Sequence, residues 1–455
     1  MRLYNTLSRR IEDFAPQNPP QVSLYACGFT VYDYTHLGHL RKYTMDDVLV
    51  RTLRHAGYQV TFVQNITDVG HLTSDADTGE DKLEKGAKKY HKSVWDIAKE
   101  FEAYFFKSMD AMGNVRPDIS CRATEHIKAQ IALVQQLEAK GFTYVIADDG
   151  VYFDTSKFPD YGKLNPQALN ELREGERIGV VAGKRYPTDF ALWKFERKGE
   201  SRQMSWRSPW SERGFPGWHV ECSAMGMQYL GEQIDIHTGG IDHIPVHHTN
   251  EIAQSEAATG KIPFVRYWVH HNFLRVDGEK MSKSLDNFFT IDDVLKRGYN
   301  LRALRLLFWG GHYRDQLNFT WDALTAAQTA YERLGKQVRG WGSETVTQLS
   351  AEGEQFYETF FAALADDLKT AQALATMWEM TKSSLANGEK LQLFRQFDEI
   401  MQLGFSFGEQ PTVLSDEMQA LLDERATARA NKDWQKADAL RERLQALGHQ
   451  VVDSK

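Results

Sequence analysis

The chain has 455 residues and a formal net charge of −8, with 42% hydrophobic and 25% charged residues. This is the composition of a globular protein of roughly two to four domains. Three cysteines in so long a chain argue against a disulfide framework and favour a reducing compartment, so we expect a cytoplasmic protein. The N-terminal segment lacks the apolar stretch of a signal peptide, and no run approaches the ~18 apolar residues of a membrane span.

The first elements alternate between strand and helix patterns. Residues 21–28 are typical of a buried strand, 39–57 of a helix that ends at Gly57, and 58–68 of a second strand. A strand, a helix and a strand at this spacing predict a βαβ unit and therefore a parallel sheet. Residues 79–112 have a lysine-rich helical pattern.

The pattern changes from about Thr124 to Ser208, where a helix precedes a loop-rich stretch with short strand signals. We interpret this stretch as an insertion, because residues 214–240 resume the order of helix and strand. From about Phe319 onward the chain has amphipathic helical patterns, including two long stretches at 356–380 and 416–448. The sequence therefore predicts an α/β N-terminal half and an all-helical C-terminal third.

Two histidines flank a glycine at the predicted junction between the first strand and its helix. A helix start after a parallel strand offers free N–H groups and a positive dipole end, which favour phosphate. His36 and His39 share one helical face and could donate hydrogen bonds to phosphoryl oxygens, and Gly38 would let a flat group approach the backbone. The alternative is a pair of ordinary surface histidines.

A polar loop at residues 277–287 contains two lysines three positions apart. Lys280 and Lys283 could neutralise the charge of a transferring phosphoryl group. An isolated pair of this spacing is more often a solvated lysine loop.

Two cysteines, a histidine and a glutamate form a third group. His247 and Glu251 are four residues apart in a predicted helix, so both face the same way. With Cys27 and Cys222 they offer two sulfurs, a nitrogen and an oxygen, a suitable set for tetrahedral zinc. Spacing alone leaves open that these are ordinary core residues, because buried free cysteines are common.

Taken together, these motifs resemble those of the cysteinyl-tRNA synthetases, a branch of the class I aminoacyl-tRNA synthetases. Residues 36–39 are similar to the first class signature, with leucine in place of isoleucine, and 280–284 match the second, K-M-S-K-S. Residues 27–33 resemble the motif C-G-x-T-V-Y-D of the cysteinyl branch. Further stretches that resemble this branch are 65–69, 189–194, 217–225, 247–256 and 312–319.

The resemblance implies a Rossmann-like parallel-sheet catalytic domain with an inserted connective domain, followed by an all-α helical-bundle region. The expected parts are a first catalytic half at 1–123, the connective insertion at 124–208, a second catalytic half at 209–270, a signature-loop and stem-contact region at 271–318, a helical bundle at 319–405 and C-terminal anticodon-binding helices at 406–455.

The resemblance also implies the metal site and the amino-acid pocket. One structural and substrate-binding Zn²⁺ per chain falls on Cys27, Cys222, His247 and Glu251. A thiolate-rich zinc favours the sulfur of cysteine over the hydroxyl of serine. Thr67 and Trp218 match family positions that line the cysteine pocket. Asp242 matches the position that is expected to bind the substrate ammonium. The alternative for the tryptophan is an ordinary core aromatic.

The implied reaction joins L-cysteine to ATP as cysteinyl-adenylate and then transfers it to tRNA(Cys). The expected catalytic residues are the two histidines, Lys280 and Lys283, with ATP also contacting Gly38, Met281, Ser282 and Ser284. Mg²⁺ is expected to arrive with ATP. We expect a monomer that binds tRNA(Cys), ATP and L-cysteine and no membrane.

The last helices resemble the tRNA-reading region of the family. Trp434 could stack on an anticodon base, but a place in a helix-hairpin core is equally consistent with the sequence. Six basic side chains nearby could meet phosphates or form a salt-bridged solvated face: Arg425, Arg429, Lys432, Lys436, Arg441 and Arg443.

The chain departs from the family pattern in a few places. Asp286 stands where glycine is usual after the second signature, Phe29 where proline is frequent, and the usual short tail is expected to be missing after "VVDSK". Cys121 matches no motif and is interpreted as a plain thiol. Two alternatives remain: a mycothiol-type ligase that passes cysteine to an amino-sugar, and a non-catalytic paralogue that binds RNA or zinc.

Overall fold

The computed structural model describes residues 1–70, 81–166, 181–197, 199, 201–281, 285, 287–405, 416–430 and 433–446. Its strands are β1 (Arg2–Asn5), β2 (Arg10–Asp13), β3 (Gln21–Thr30), β4 (Gln59–Thr67), β5 (Ile119–Arg122), β6 (Thr143–Ile146), β7 (Gly150–Phe153), β8 (Phe190–Phe195), β9 (Gly214–Pro216), β10 (Ile234–Gly240), β11 (Val265–His271), β12 (Leu274–Val276), β13 (Glu279–Lys280) and β14 (Leu317–Phe319).

The α-helices of the described residues are α1 (Leu37–His55), α2 (Lys82–Tyr90), α3 (Val94–Met112), α4 (Ile127–Ala139), α5 (Trp218–Leu230), α6 (His247–Thr259), α7 (Ile291–Lys296), α8 (Leu301–Trp309), α9 (Trp321–Gly340), α10 (Ala351–Ala365), α11 (Thr370–Lys382), α12 (Asn387–Met401), α13 (Asp416–Ala430) and α14 (Trp434–Ala446). None of them is long and apolar enough to cross a membrane.

A five-stranded parallel sheet is the centre of the fold, in the order β11-β10-β3-β4-β5. The chain passes from β3 to β4 through α1, so the predicted βαβ unit and the α/β fold class are confirmed. β3 lies where the strand order reverses, with β4 on one side and β10 on the other. In open sheets of this kind, ligands bind at the carboxyl ends of the strands beside such a switch point.

The two faces of the sheet bury different sides of β3. Leu24 and Ala26 belong to a core shared with α1, α3 and the C-terminal helices. Tyr25 and Cys27 belong to the opposite core, shared with α4, α5 and α6. Because side chains alternate along a strand, Cys27 must face the helices that carry the other predicted metal ligands.

Close backbone packing accompanies an irregularity at the end of β3. The pairing of β3 with β4 shifts register between Ala26 and Phe29. Between them, the N–H of Gly28 donates to Asn65 Oδ1 at 2.8 Å. A Cβ atom on Gly28 would lie 1.5 Å from the Asn65 carbonyl oxygen, so glycine is required here.

The predicted insertion contains a helix and a separate sheet. Helix α4 packs against α5 and α6, and β6, β7, β8 and β9 form an antiparallel sheet. The last strand of this sheet lies beyond position 208. The domain boundaries given above stay predictions.

Two predicted helical stretches are each divided in the structure. The lysine-rich stretch forms α2 and α3, because His91 ends α2 in the left-handed region (φ 53°) and Ser93 caps the start of α3. The stretch at 356–380 forms α10 and α11, because Asp367 and Leu368 both have positive φ (60° and 51°). The C-terminal third of the described chain is helical as predicted.

We expect Gly28→Ala to lower the stability of the protein. The added methyl group collides with the Asn65 backbone, which cannot rotate away, at a cost of about 3 kcal/mol. The matched control is Gly340→Ala at the end of α9, where a Cβ meets nothing within 4 Å. Urea denaturation of both variants in a chelating buffer measures the difference. Equal midpoints for the two variants would contradict the packing of β3 against β4.

Candidate metal and nucleotide site

The predicted metal ligands converge at the switch point of the sheet. Cys27 lies on β3, Cys222 on α5, and His247 and Glu251 on α6. All four are buried, and one donor atom from each lies within 4.8 Å of all the others. His247 Nε2 is 2.9 Å from Glu251 Oε1, and Cys27 Sγ is 3.9 Å from the same oxygen. The structure thus brings together the four side chains as a buried set of candidate metal donors.

Two further histidines contact the same cluster and were missed by the sequence reasoning. His248 Nε2 lies 3.2 Å from Cys27 Sγ, and His237 Nε2 lies 3.0 Å from Glu251 Oε2. With Cys27 and Glu251 they make a second set of donor atoms within 4.8 Å of one another. The sequence position of His248, directly after the predicted ligand His247, is the only feature of the sequence that points to it. His237 lies on β10 and is close to Glu251 only because of the order of the strands in the sheet.

Outer contacts fix the orientation of the imidazoles. His248 Nδ1 lies 2.7 Å from His270 Nε2, and His270 Nδ1 lies 2.7 Å from the Thr6 hydroxyl. His247 Nδ1 lies 2.9 Å from a ring nitrogen of His219. Such partners hold a metal-binding imidazole in one tautomer and one orientation.

The electrostatics of the cluster favour a cation. Burial opposes ionisation of Cys27, yet a hydrogen bond with Cys222 and the neighbouring His248 hold the pKa of the Cys27 thiol well below its usual value. Burial also opposes a charge on His247, but Glu251 and Cys27 raise its pKa to about 10. Without a metal, protons supply the positive charge that the thiolate and carboxylate require.

The residues predicted for the cysteine pocket lie at the same edge of the sheet. Trp218 begins α5 and is partly exposed, with its ring 4.4 Å from the His247 ring, so it is not an ordinary core aromatic. Thr67 ends β4 and is buried, and its hydroxyl accepts a hydrogen bond from Asn65 at 3.0 Å. Asp242 lies exposed in the 3₁₀ turn Ile241–His243 that follows β10.

His36 and His39 lie at the start of α1 with stacked rings, 3.6 Å between centroids. The prediction of free backbone N–H groups at this helix start is wrong. His36 is the N-cap, and its Nδ1 accepts from the N–H groups of Gly38 and His39 at 3.1 and 3.4 Å. The N–H of Leu37 donates to the Phe289 carbonyl at 2.9 Å. A phosphate must therefore meet the imidazoles themselves.

Each of the two imidazoles presents Nε2 as its donor. Nδ1 of His36 is occupied as an acceptor, and Nδ1 of His39 accepts from the His36 N–H at 3.4 Å, so a neutral ring carries its proton on Nε2. Burial lowers the pKa of His36 to about 4 and that of His39 well below its usual value. Both rings are neutral hydrogen-bond donors at neutral pH.

Gly38 has a steric role in the cap of α1, and its predicted role in the approach of a flat group stays a prediction. A Cβ atom on Gly38 would lie 2.9 Å from the His36 ring and 3.9 Å from Leu274. Glycine therefore lets the imidazole fold back over the helix start as its cap.

The second signature is described in part. Lys280 is exposed on β13, with its Nζ 5.8 Å from the centre of the Phe273 ring, and Met281 packs against the main core. The other predicted residues of this loop lie outside the described residues: Ser282, Lys283 and Ser284, together with Asp286.

Other singled-out residues have clear surroundings. Cys121 is buried on β5, where burial raises the pKa of its thiol to about 12, as suits an unreactive core cysteine. Phe29 packs on the His39 ring at 4.9 Å and supports it. Trp434 is 58% exposed, while Leu421 and Leu444 fill the core between α13 and α14, so the helix-hairpin core alternative for Trp434 is wrong.

Comparisons with known proteins match nearly the whole chain. The family model of the class I (C) tRNA synthetase catalytic domain matches residues 13–329, and that of the cysteinyl-tRNA ligase anticodon binding domain matches 412–455. The cysteine–tRNA ligase of Treponema denticola is 42% identical over 98% of this chain and 96% of its own length. The cysteine–tRNA ligase 1 of Burkholderia lata is 45% identical over 100% of this chain and 95% of its own length.

A solved structure has the same fold at low identity. Mycobacterium tuberculosis methionyl-tRNA synthetase bound by methionyl-adenylate superposes with a TM-score of 0.61 and 15% identity, over 92% of this chain and 96% of that one. At this identity the likeness supports the fold alone.

We expect the His36 cap to make the stability of the protein depend on pH. Because the pKa of His36 falls from 6.5 to about 4 on folding, the unfolded chain binds the proton first as the pH falls. The stabilisation is complete above about pH 6.5 and is lost as the pH falls to about 4. His36→Asn keeps a capping side chain without this titration, so its melting temperature should fall less over this range. A parallel fall in both proteins would contradict a capping, neutral His36.

Proposed function

Because the chain belongs to the cysteinyl-tRNA synthetase family, we propose that it is a cysteine–tRNA ligase. It activates L-cysteine with ATP to cysteinyl-adenylate and transfers the cysteinyl group to the 3′ end of tRNA(Cys). The observation that carries this proposal is the buried cluster of Cys27, Cys222, His247 and Glu251 at the switch point of a class I catalytic sheet.

We further propose that the cluster holds one Zn²⁺. Two sulfurs, one imidazole nitrogen and one carboxylate oxygen suit tetrahedral zinc, and their burial excludes the harder, water-rich coordination of Mg²⁺. A zinc held by these four side chains would supply a thiophilic Lewis acid, which favours the deprotonated thiol of cysteine as a ligand. Serine offers a hydroxyl that stays protonated, and a site built for one polar group rejects an analogue lacking it by ~10⁴–10⁵.

The pocket residues orient the rest of the amino acid. The Trp218 ring lies against His247 and closes one side of the space beside the metal ligands. The exposed carboxylate of Asp242, at the end of β10, suits the substrate ammonium. Thr67 ends β4 at the same edge of the sheet, and we assign it to the same pocket.

The signature residues act on ATP during adenylate formation. His36 and His39 present neutral Nε2–H donors to phosphoryl oxygens. Lys280 and Lys283 neutralise the pyrophosphate as it leaves. Mg²⁺ arrives with ATP, with most of its ligands from water and phosphate.

The acceptor of the second step is tRNA rather than an amino-sugar. The match of residues 412–455 to an anticodon binding domain favours this choice over a mycothiol-type ligase. The exposed Trp434 on α14 suits stacking on a base of the anticodon. If the purified protein charges an amino-sugar and leaves tRNA(Cys) uncharged, this part of the proposal is wrong.

We expect Cys222→Ser to lose both metal and cysteine activation. Loss of one thiolate from the donor set lowers zinc well below about one per chain, and cysteine-dependent exchange of pyrophosphate into ATP falls by about 10²-fold or more. The matched control is Cys121→Ser, a buried cysteine on β5 outside both donor sets, which should keep its zinc. Metal analysis and exchange kinetics measure both quantities. Retained cysteine preference after loss of zinc from Cys222→Ser would refute the proposed basis of selectivity.

A further inference from the structure

The second turn of α1 contains a buried arginine with an unusual set of partners. Arg41 is 2% exposed. Its Nη1 donates to the carbonyl oxygens of Asn272 and Phe273 at 3.0 and 2.9 Å. Its Nη2 donates to those of His312 and Asp315 at 2.9 and 2.7 Å. One guanidinium therefore joins α1 to two segments that are distant in sequence.

These hydrogen bonds hold a buried charge. Burial lowers the pKa of Arg41 to about 10, which still leaves it protonated at neutral pH. Backbone carbonyl oxygens, rather than a bidentate carboxylate, accept these hydrogen bonds. Because the planar guanidinium donates in fixed directions, these hydrogen bonds fix the distances between α1 and the two other segments.

The two segments bound by Arg41 support the second signature. Asn272 and Phe273 directly precede β12. This strand pairs with β13, the strand that contains Lys280. His312 and Asp315 precede β14, which pairs with the other edge of β12. Arg41 thus sets the position of this small sheet relative to the signature histidines one turn earlier on α1.

The next residue on α1 points to the metal side of the site. Lys42 Nζ donates to the backbone carbonyl of Cys27 at 2.9 Å and pairs with Asp46 Oδ2 at 2.7 Å. The other carboxylate oxygen of Asp46 lies 2.8 Å from His271 Nε2 on β11. Lys42 therefore ties the strand that carries a metal ligand to the helix that carries the signature histidines.

We propose that Arg41 and Lys42 are positioning residues with separate roles in the proposed reaction. Arg41 holds the stem of the second signature at the distance that adenylate formation needs, and Lys42 holds the Cys27 segment in place for metal and cysteine binding. This inference rests on the proposed function. It predicts that two adjacent cations on one helix, when removed, give different kinetic defects.

The test compares Arg41→Met and Lys42→Met with Lys128→Met, which removes an exposed lysine from α4. Zinc affinity is measured by chelator competition, and pyrophosphate exchange gives kcat and KM for cysteine and ATP. Lys42→Met should weaken zinc binding on the order of tenfold and raise KM for cysteine. Arg41→Met should keep its zinc and KM for cysteine but lose about 10² in kcat, as expected for a displacement near 1 Å. Lys128→Met should resemble the unmodified protein.

Conservative variants separate positioning from general loss of structure. Lys42→Arg keeps a donor for the Cys27 carbonyl and should restore most of the zinc affinity. Arg41→Lys keeps the charge but cannot reach both pairs of carbonyl groups, so it should stay defective. If Arg41→Met does not fold, the kinetics of Arg41→Lys test the role of Arg41 instead. Melting temperatures of all variants are recorded.

The inference is overturned if the Arg41 and Lys42 variants lose zinc affinity equally, if neither changes zinc affinity or kcat, or if Arg41→Lys is fully active. Failure of the proposed function gives a different result, because the unmodified protein would then show no cysteine-dependent exchange at all. Even in that case, the zinc affinity of Lys42→Met remains a direct test of its role at Cys27.

Discussion

A thiolate and a carboxylate that are buried side by side require a neighbouring positive charge, because an unpaired buried charge is costly. In this protein the requirement falls at the switch point of a parallel sheet, where Cys27 on β3 meets Cys222 on α5 and Glu251 on α6. In the absence of a metal, His237 and His247 carry this positive charge. Burial opposes it, but Glu251 and Cys27 raise their pKa values to about 9 and about 10. The rest of the catalytic domain positions these groups. The alternation of side chains along β3 places Cys27 on the face that is covered by α6, and Gly28 allows the close packing of β3 against β4 beside it.

The part of the site proposed to bind the nucleotide is joined through α1 to the part proposed to bind the metal. Nδ1 of His36 caps the start of the helix, which leaves Nε2 for a ligand. The capping hydrogen bonds therefore also orient a candidate catalytic group. Two adjacent residues in the second turn of the same helix then hold the Cys27 strand through Lys42 and the small sheet of the second signature through Arg41. Displacement of this one helix would therefore alter both parts at once, whereas its individual contacts act on one part each.

Much of this organisation was accessible from the sequence because the relevant patterns are local. The βαβ unit followed from alternating apolar residues in β3 and β4, and the metal donors followed from their chemistry together with the family motifs. Features that depend on residues far apart in sequence were not accessible. His237 is near Glu251 only because β10 lies beside β3. The break between α10 and α11 occurs at Asp367, whose carboxylate accepts hydrogen bonds from Tyr313 and Arg314. The N–H groups at the start of α1 are not free, contrary to the prediction, because the His36 side chain caps the helix and sequence spacing does not reveal this fold of the ring.

The central claim is that a metal held by this cluster binds the sulfur of cysteine directly. X-ray absorption of the zinc-loaded protein measures the sulfur atoms bound to the metal with no substrate, with cysteine and with serine. The account predicts sulfur ligands from Cys27 and Cys222 alone in the free and serine-treated samples, and an additional sulfur when cysteine is present. An unchanged sulfur shell on saturation with cysteine would contradict it.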